Sequence, residues 1–123
     1  MIEGSSIAAD TLAAVRMAVG SAKTVLVMLD SNHSEAHVLQ ELELYSPLVT
    51  PGSYIVAHDG AQAWVWDIPN GNPEWRYNHP LDAIHKFLAR HLEFSNDPHW
   101  TRWGITSSPD GFLKRKQAAS ESM

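Results

Sequence analysis

Two short apolar runs, each stopping on an acid, constrain this chain more than any other feature. Thr24-Val25-Leu26-Val27-Met28-Leu29 ends at Asp30, and Ser53-Tyr54-Ile55-Val56-Ala57 ends at His58-Asp59-Gly60. Continuous runs rich in β-branched residues read as central parallel strands buried on both faces, because a half-exposed strand would alternate apolar and polar positions. Between the runs lies a helical pattern. Ser34 is placed as its N-cap, Glu35 sits in the first turn where the dipole favours an acid, and Val38, Leu39, Leu42 and Tyr45 form a buried stripe. Pro47, Pro51 and Gly52 then break the chain. Strand, helix, strand with short connections is a βαβ unit, whose crossover is nearly always right-handed. Open α/β sheets bind ligands beyond the carboxyl ends of their parallel strands. Chemistry is therefore expected at Asp30 and at His58-Asp59.

The remaining elements arrange themselves around that unit. A helix is expected from Ile7 to Val19, with Leu12, Val15 and Val19 at helical spacing and Gly20 placed to end it. The segment from Ala61 to Pro80 is rich in Trp, Pro, Asn and Gly. It is too irregular for a helix or strand and too aromatic for disorder, and a long ordered loop in this position usually covers a site. A helix follows from Pro80 to His91, with Ile84, Phe87 and Leu88 facing inward. Trp103–Thr106 and Phe112–Arg115 flank Ser107-Ser108-Pro109-Asp110-Gly111, which signals an antiparallel hairpin. The expected order is α-β-α-β-α-β-β in one domain over residues 1–116, with a frayed polar tail over 117–123.

Composition narrows the function classes. With 123 residues the chain suffices for one domain with its own core. A net charge of -5 gives no footprint for nucleic acid, and the run Lys114-Arg115-Lys116 reads as a solvated strand end. No cysteine is present, which removes thiolate nucleophiles and Cys-zinc sites and fits a cytoplasmic enzyme. No apolar run approaches the roughly 20 residues of a membrane span.

Asp30, Asn32, His33, His37, His58 and Asp59 gather at the two strand ends. Carboxylates on adjacent strand tips suit a hard divalent cation, which would lower the pKa of a coordinated hydroxyl. His33 is then a candidate general base near neutral pH. Rival readings stand beside this one. An acid closing a strand often only caps the next turn, and His58-Asp59 is also a reasonable structural turn before Gly60. His33 and His37 are spaced to share a zinc ion if both lie on one helix face, but no zincin Glu accompanies them. His85 and His91 read as surface residues. Trp64, Trp66 and Trp75 suit an aromatic pocket, a packed lid or a subunit interface.

Four stretches in sequence order carry a resemblance: Ile2-Glu3-Gly4-Ser5-Ser6, Leu29-Asp30-Ser31-Asn32-His33, Pro51–Gly60, and Pro109–Arg115. Together they resemble the C-terminal portion of the cephalosporin hydroxylase / rhamnosyl O-methyltransferase family, from Ile2 to about Arg115. The resemblance implies the C-terminal half of a Rossmann-like class I methyltransferase sheet, with S-adenosylmethionine as cofactor and a small-molecule acceptor such as a sugar hydroxyl or natural product. It implies a Mg²⁺ ion held by Asp30 and the His58-Asp59 pair, His33 as base or substrate contact, and Gly4, Ser5 and Ser6 near the adenine side of the cofactor. Relatives usually carry Glu-Asp where this chain has His58-Asp59. An imidazole there should weaken Mg²⁺, favour a softer divalent cation or abolish binding. The family's glycine-rich first turn, which holds the methionine end of the cofactor, has no counterpart here. The expectation is thus a fragment, or a chain completed by another, with uncovered faces. The rival functions are a non-catalytic homo-oligomeric assembly module and a metal-dependent hydrolase.

Overall fold

The structure is a computed structural model, and it describes residues 1–117. Most of the expected polar tail, residues 118–123, lies outside the described residues. The elements are α1 (Ala9–Val19), β1 (Val27–Leu29), α2 (Glu35–Tyr45), β2 (Tyr54–Ala57), α3 (Pro80–Arg90), β3 (Phe94–Asn96) and β4 (Phe112–Arg115). Short 3₁₀ turns at Ser46–Leu48, Gly60–Trp64, Pro73–Arg76 and Pro98–Thr101 fill the connections.

The four strands form one mixed sheet in the order β1-β2-β4-β3. β1 and β2 run parallel, with Val27 opposite Ile55 and Leu29 opposite Ala57. β4 runs antiparallel to β2 and to β3. An antiparallel pair does close the sheet, but its partner strand is Phe94–Asn96 and not the expected Trp103–Thr106. Trp103 and Ile105 are 78% and 94% exposed. The turn residues Ser107–Gly111 instead end a long excursion, and Ala57 N donates to Gly111 O at 2.8 Å where β4 rejoins β2. Gly111 is required there, since a Cβ would collide with the Ala57 carbonyl.

Side chains alternate across a strand, so the register sorts the sheet into two faces. Leu29, Ile55, Ala57, Leu113 and Phe94 point to one face and pack with Leu12, Val38, Leu42, Tyr45, Ala83, Ile84 and Phe87 from the helices. This is the core. Both helices flanking β2 lie on it, as the right-handed βαβ crossover requires. The caps are local: Ser34 Oγ accepts from His37 N, and Pro80 opens α3, where a missing N–H costs nothing.

The opposite face is thinly covered. Trp100 stands edge-on to Tyr54 with ring centroids 6.4 Å apart, and Val56 is buried. At the β1 side, however, Leu26 and Met28 remain 56% and 60% exposed. The expectation that the first run is buried on both faces is therefore corrected. β1 is an edge strand, shorter than its apolar run, because among the described residues nothing pairs with its outer side. Just before it, Val25 N donates to Thr50 Oγ1 at 2.9 Å and Val25 O accepts from Thr50 N at 3.3 Å.

Candidate functional site

β1 and β2 end side by side, and this places Asp30 and Asp59 at neighbouring strand tips. Asp59 adopts a left-handed backbone conformation (φ 63°) and caps the Gly60–Trp64 turn. For a non-glycine residue that conformation is uncommon, though Asp tolerates it better than most. The turn directs its carboxylate back toward β1. His33, in the loop before α2, enters between the two acids. Its Nε2 lies 3.1 Å from Asp59 Oδ2 and 3.4 Å from Asp30 Oδ1. One ligand atom from each of Asp30, His33 and Asp59 lies within 4.8 Å of the others. His33 Nδ1, on the other side of the ring, is 3.3 Å from the side-chain amide nitrogen of Gln62.

His58 is placed differently. Its Nδ1 faces the Ser108 hydroxyl at 3.3 Å, and it is not part of the Asp30-His33-Asp59 group. His37 does not join His33 either. Its Nε2 is 3.0 Å from Ser6 Oγ and 3.8 Å from Glu41 Oε1. His85 pairs with Asp110 at 3.0 Å on the surface, whereas His91 stacks on Phe87 at 4.4 Å and contacts Glu43 at 2.6 Å. His91 is thus partly buried and not a surface residue.

Two clefts flank the cluster. One, of about 360 Å³, follows the open side of β1 and is lined by Gly4, Ser6, Leu29, Asp30, Ser31 and Glu41 among others. Ser5 is exposed beside it, and Gly4 (φ 135°) packs so closely on Thr11 that a Cβ would stand 2.6 Å from the hydroxyl. Ser31 donates to Glu41 Oε2 at 2.9 Å, while the buried Glu41 Oε1 has no hydrogen-bond partner among the described residues. Tyr45 donates to Ser6 O at 2.6 Å. Burial first, and the Glu41 carboxylate second, hold its phenol above the usual range, so it remains a donor.

The second cleft, of about 280 Å³, is polar and is lined by Asn32, His33, Ser34, Gln62, Glu74, Trp75 and Asn78. Its far wall is the Trp-rich segment, which is ordered around two 3₁₀ turns. Asn78 Oδ1 accepts from Glu35 N at 2.8 Å and ties that segment to the start of α2. Arg76 lies over the Trp66 ring at 4.7 Å. Trp75 lines the cleft, whereas Trp64 is exposed.

Of the residues singled out in the sequence, the structure brings Asp30, His33 and Asp59 together, and it adds Gln62 and Glu41 beside them, which the sequence did not single out. Gln62 is one 3₁₀ turn beyond Asp59, a spacing that returns its side chain to the same tip, and Glu41 lies one helical turn beyond His37.

The class this geometry defines is an α/β protein with two carboxylates and an imidazole gathered at the carboxyl tips of parallel strands, between two open clefts. Residues 1–116 match the model of the family described as Rhamnosyl O-methyltransferase/CmcI, and the chain belongs to that family. It is 34% identical over 96 residues to proteins named rhamnosyl O-methyltransferase from Mycobacterium tuberculosis (strain H37Rv) and Mycobacterium bovis (strain AF2122/97). Those matches cover 74% of this chain and 36% of each relative. The like-named protein of Mycobacterium leprae is 34% identical over 99 residues, covering 75% of this chain and 39% of the relative. The chain thus spans well under half the length of these relatives. No solved structure matches significantly. Among the described residues no helix is long and apolar enough to cross a membrane.

Proposed function

We propose that this chain carries the cation-binding and acceptor-binding part of an S-adenosylmethionine-dependent O-methyltransferase site, acting on a sugar hydroxyl or a small natural product. The observation that carries this reading is the convergence of Asp30, His33 and Asp59 at adjacent strand tips in a chain of this family. The donor set fits a divalent cation. Two carboxylates and one imidazole suit Mg²⁺ or Mn²⁺ with remaining positions left for water and substrate oxygen. Asp30 and Asp59 are also partly exposed, so those positions face solvent. His58, the position where the family pattern changes, keeps a supporting place beside Ser108, and His33 supplies the third ligand in its stead.

A divalent cation at this cluster supplies Lewis-acid charge that favours the ionised acceptor hydroxyl. The rest falls to the protein. The polar cleft of Asn32, Gln62, Glu74 and Asn78 offers donors and acceptors to a hydroxylated ring beside the Trp75 face. The cleft along β1 takes the adenosine side of the cofactor, with Gly4, Ser5 and Ser6 forming its rim. S-adenosylmethionine bound there would supply an electrophilic methyl for the acceptor oxygen, with S-adenosylhomocysteine leaving, and the protein's share would be chiefly proximity and charge placement. Residues 1–116 act as one unit in this reading, and the cysteine-free composition suits the cytoplasm.

A second reading follows from Leu26 and Met28, whose exposure on an unpaired edge strand suits a homo-oligomeric assembly module. Calorimetry with S-adenosylmethionine and S-adenosylhomocysteine separates the two. Saturable binding of both supports the methyltransferase reading; no heat from either at millimolar ligand contradicts it for this chain alone.

A further inference from the structure

The geometry points to Gln62 as a positioning residue that follows and fixes the ring proton of His33, turning its amide when a cation enters the strand-tip cluster. This rests on the cation reading above. A neutral imidazole carries one ring proton, and its location is set by what faces each nitrogen. Nε2 faces Asp59 Oδ2 at 3.1 Å and Asp30 Oδ1 at 3.4 Å, and ionised carboxylates only accept. The proton therefore belongs on Nε2 in the ion-free protein. Nδ1 is then an acceptor, and the Gln62 amide nitrogen at 3.3 Å is the donor it needs.

A cation held by Asp30 and Asp59 reverses the demand. An N–H pointed at a cation is repelled, whereas a lone pair is attracted, so the proton moves to Nδ1. Gln62 must then present its carbonyl oxygen, which a half-turn of the amide accomplishes, since oxygen and nitrogen occupy nearly equivalent places. A side-chain amide serves both states; a carboxylate serves only the second, and an aliphatic group neither. Gln62 is well placed for this because the 3₁₀ turn Gly60–Trp64 starts at Asp59, so one turn carries both a carboxylate and the partner of His33.

The test is long-range ¹H–¹⁵N correlation of the labelled full chain, with and without Mg²⁺, above the pH at which histidine ionises. His33 is assigned by loss of its signals in His33→Asn. Wild type should carry the proton on Nε2 without Mg²⁺ and on Nδ1 with it. Gln62→Glu, which can only accept, should hold a proton on Nδ1 in both conditions, alongside the one on Nε2 when Mg²⁺ is absent. Gln62→Leu should weaken Mg²⁺ about tenfold, the loss typical of removing the partner that orients a ligand, with Gln62→Glu restoring the affinity. If Gln62→Leu matches wild type in tautomer and Mg²⁺ affinity, the role of Gln62 is overturned while the cation reading stands. If Mg²⁺ moves no His33 signal in wild type and gives no saturable binding, both fall together.

Discussion

Asp97 shows how single contacts set the response of this protein to acid. The Tyr54 hydroxyl donates to its Oδ2 at 2.6 Å and the His99 backbone N–H to its Oδ1 at 3.0 Å. These bonds, Tyr54 first, hold the Asp97 carboxyl below the usual carboxylate range. A carboxyl whose folded value is depressed stabilises the fold above its unfolded value of about 3.9, and that contribution fades as the pH falls through the folded value. Tyr54→Phe should therefore lower Tm near neutrality and lose less than wild type between pH 5 and 3 on this scale. Melting curves across that range check it; parallel acid limbs would remove Asp97 from the account. At the site, the His33 contacts with Asp30 and Asp59 are partly exposed, and such pairs add little stability. Asp30→Asn and Asp59→Asn should leave Tm within a few degrees of wild type while weakening divalent-cation binding, as a functional cluster would.

At the scale of elements, what was legible in the sequence was whatever periodicity encodes. The βαβ unit, its Ser34 cap, α3 and the pairing residues Phe112–Arg115 all stand where apolar spacing and caps place them. β3 was not legible. Phe94-Ser95-Asn96 carries a single buried side chain, and it is a strand because β4 pairs with it, not because its own residues favour one. Trp103-Gly104-Ile105-Thr106 has a better strand composition but no partner strand among the described residues, so it stays exposed. Two contacts that no local pattern announces hold the loops over the site. Asn78→Ala should remove the acceptor for Glu35 N and cost about 1 kcal/mol. It should also increase amide exchange in the Trp-rich segment, and unchanged exchange there would show that Asn78 does not tether it. Gly111→Ala should cost about 1–3 kcal/mol, since the added methyl must displace the Ala57 carbonyl at the β2–β4 junction. Denaturant midpoints read this directly; a neutral result would mean that the junction relaxes freely.

The whole molecule is a sheet with a packed face and a thin one. Three helices and a continuous core occupy one side, and a Trp-bearing loop partly covers the other, leaving β1 with an open edge. Composition could not reveal this, because a strand buried on both faces and an edge strand share the same apolar run until their neighbours are known. The site follows the same logic. Asp30 and Asp59 were readable as strand ends, but the entry of His33 between them, with His58 turned to Ser108, depends on loop geometry beyond any spacing rule. The central claim is that Asp30, His33 and Asp59 form one divalent-cation site. Calorimetric titration of Mg²⁺ and Mn²⁺ into wild type and Asp30→Ala, at matched circular dichroism, tests it most directly. The account predicts one saturable site in wild type and a loss of roughly tenfold or more in the variant. Equal affinities, or no binding to wild type, would contradict it.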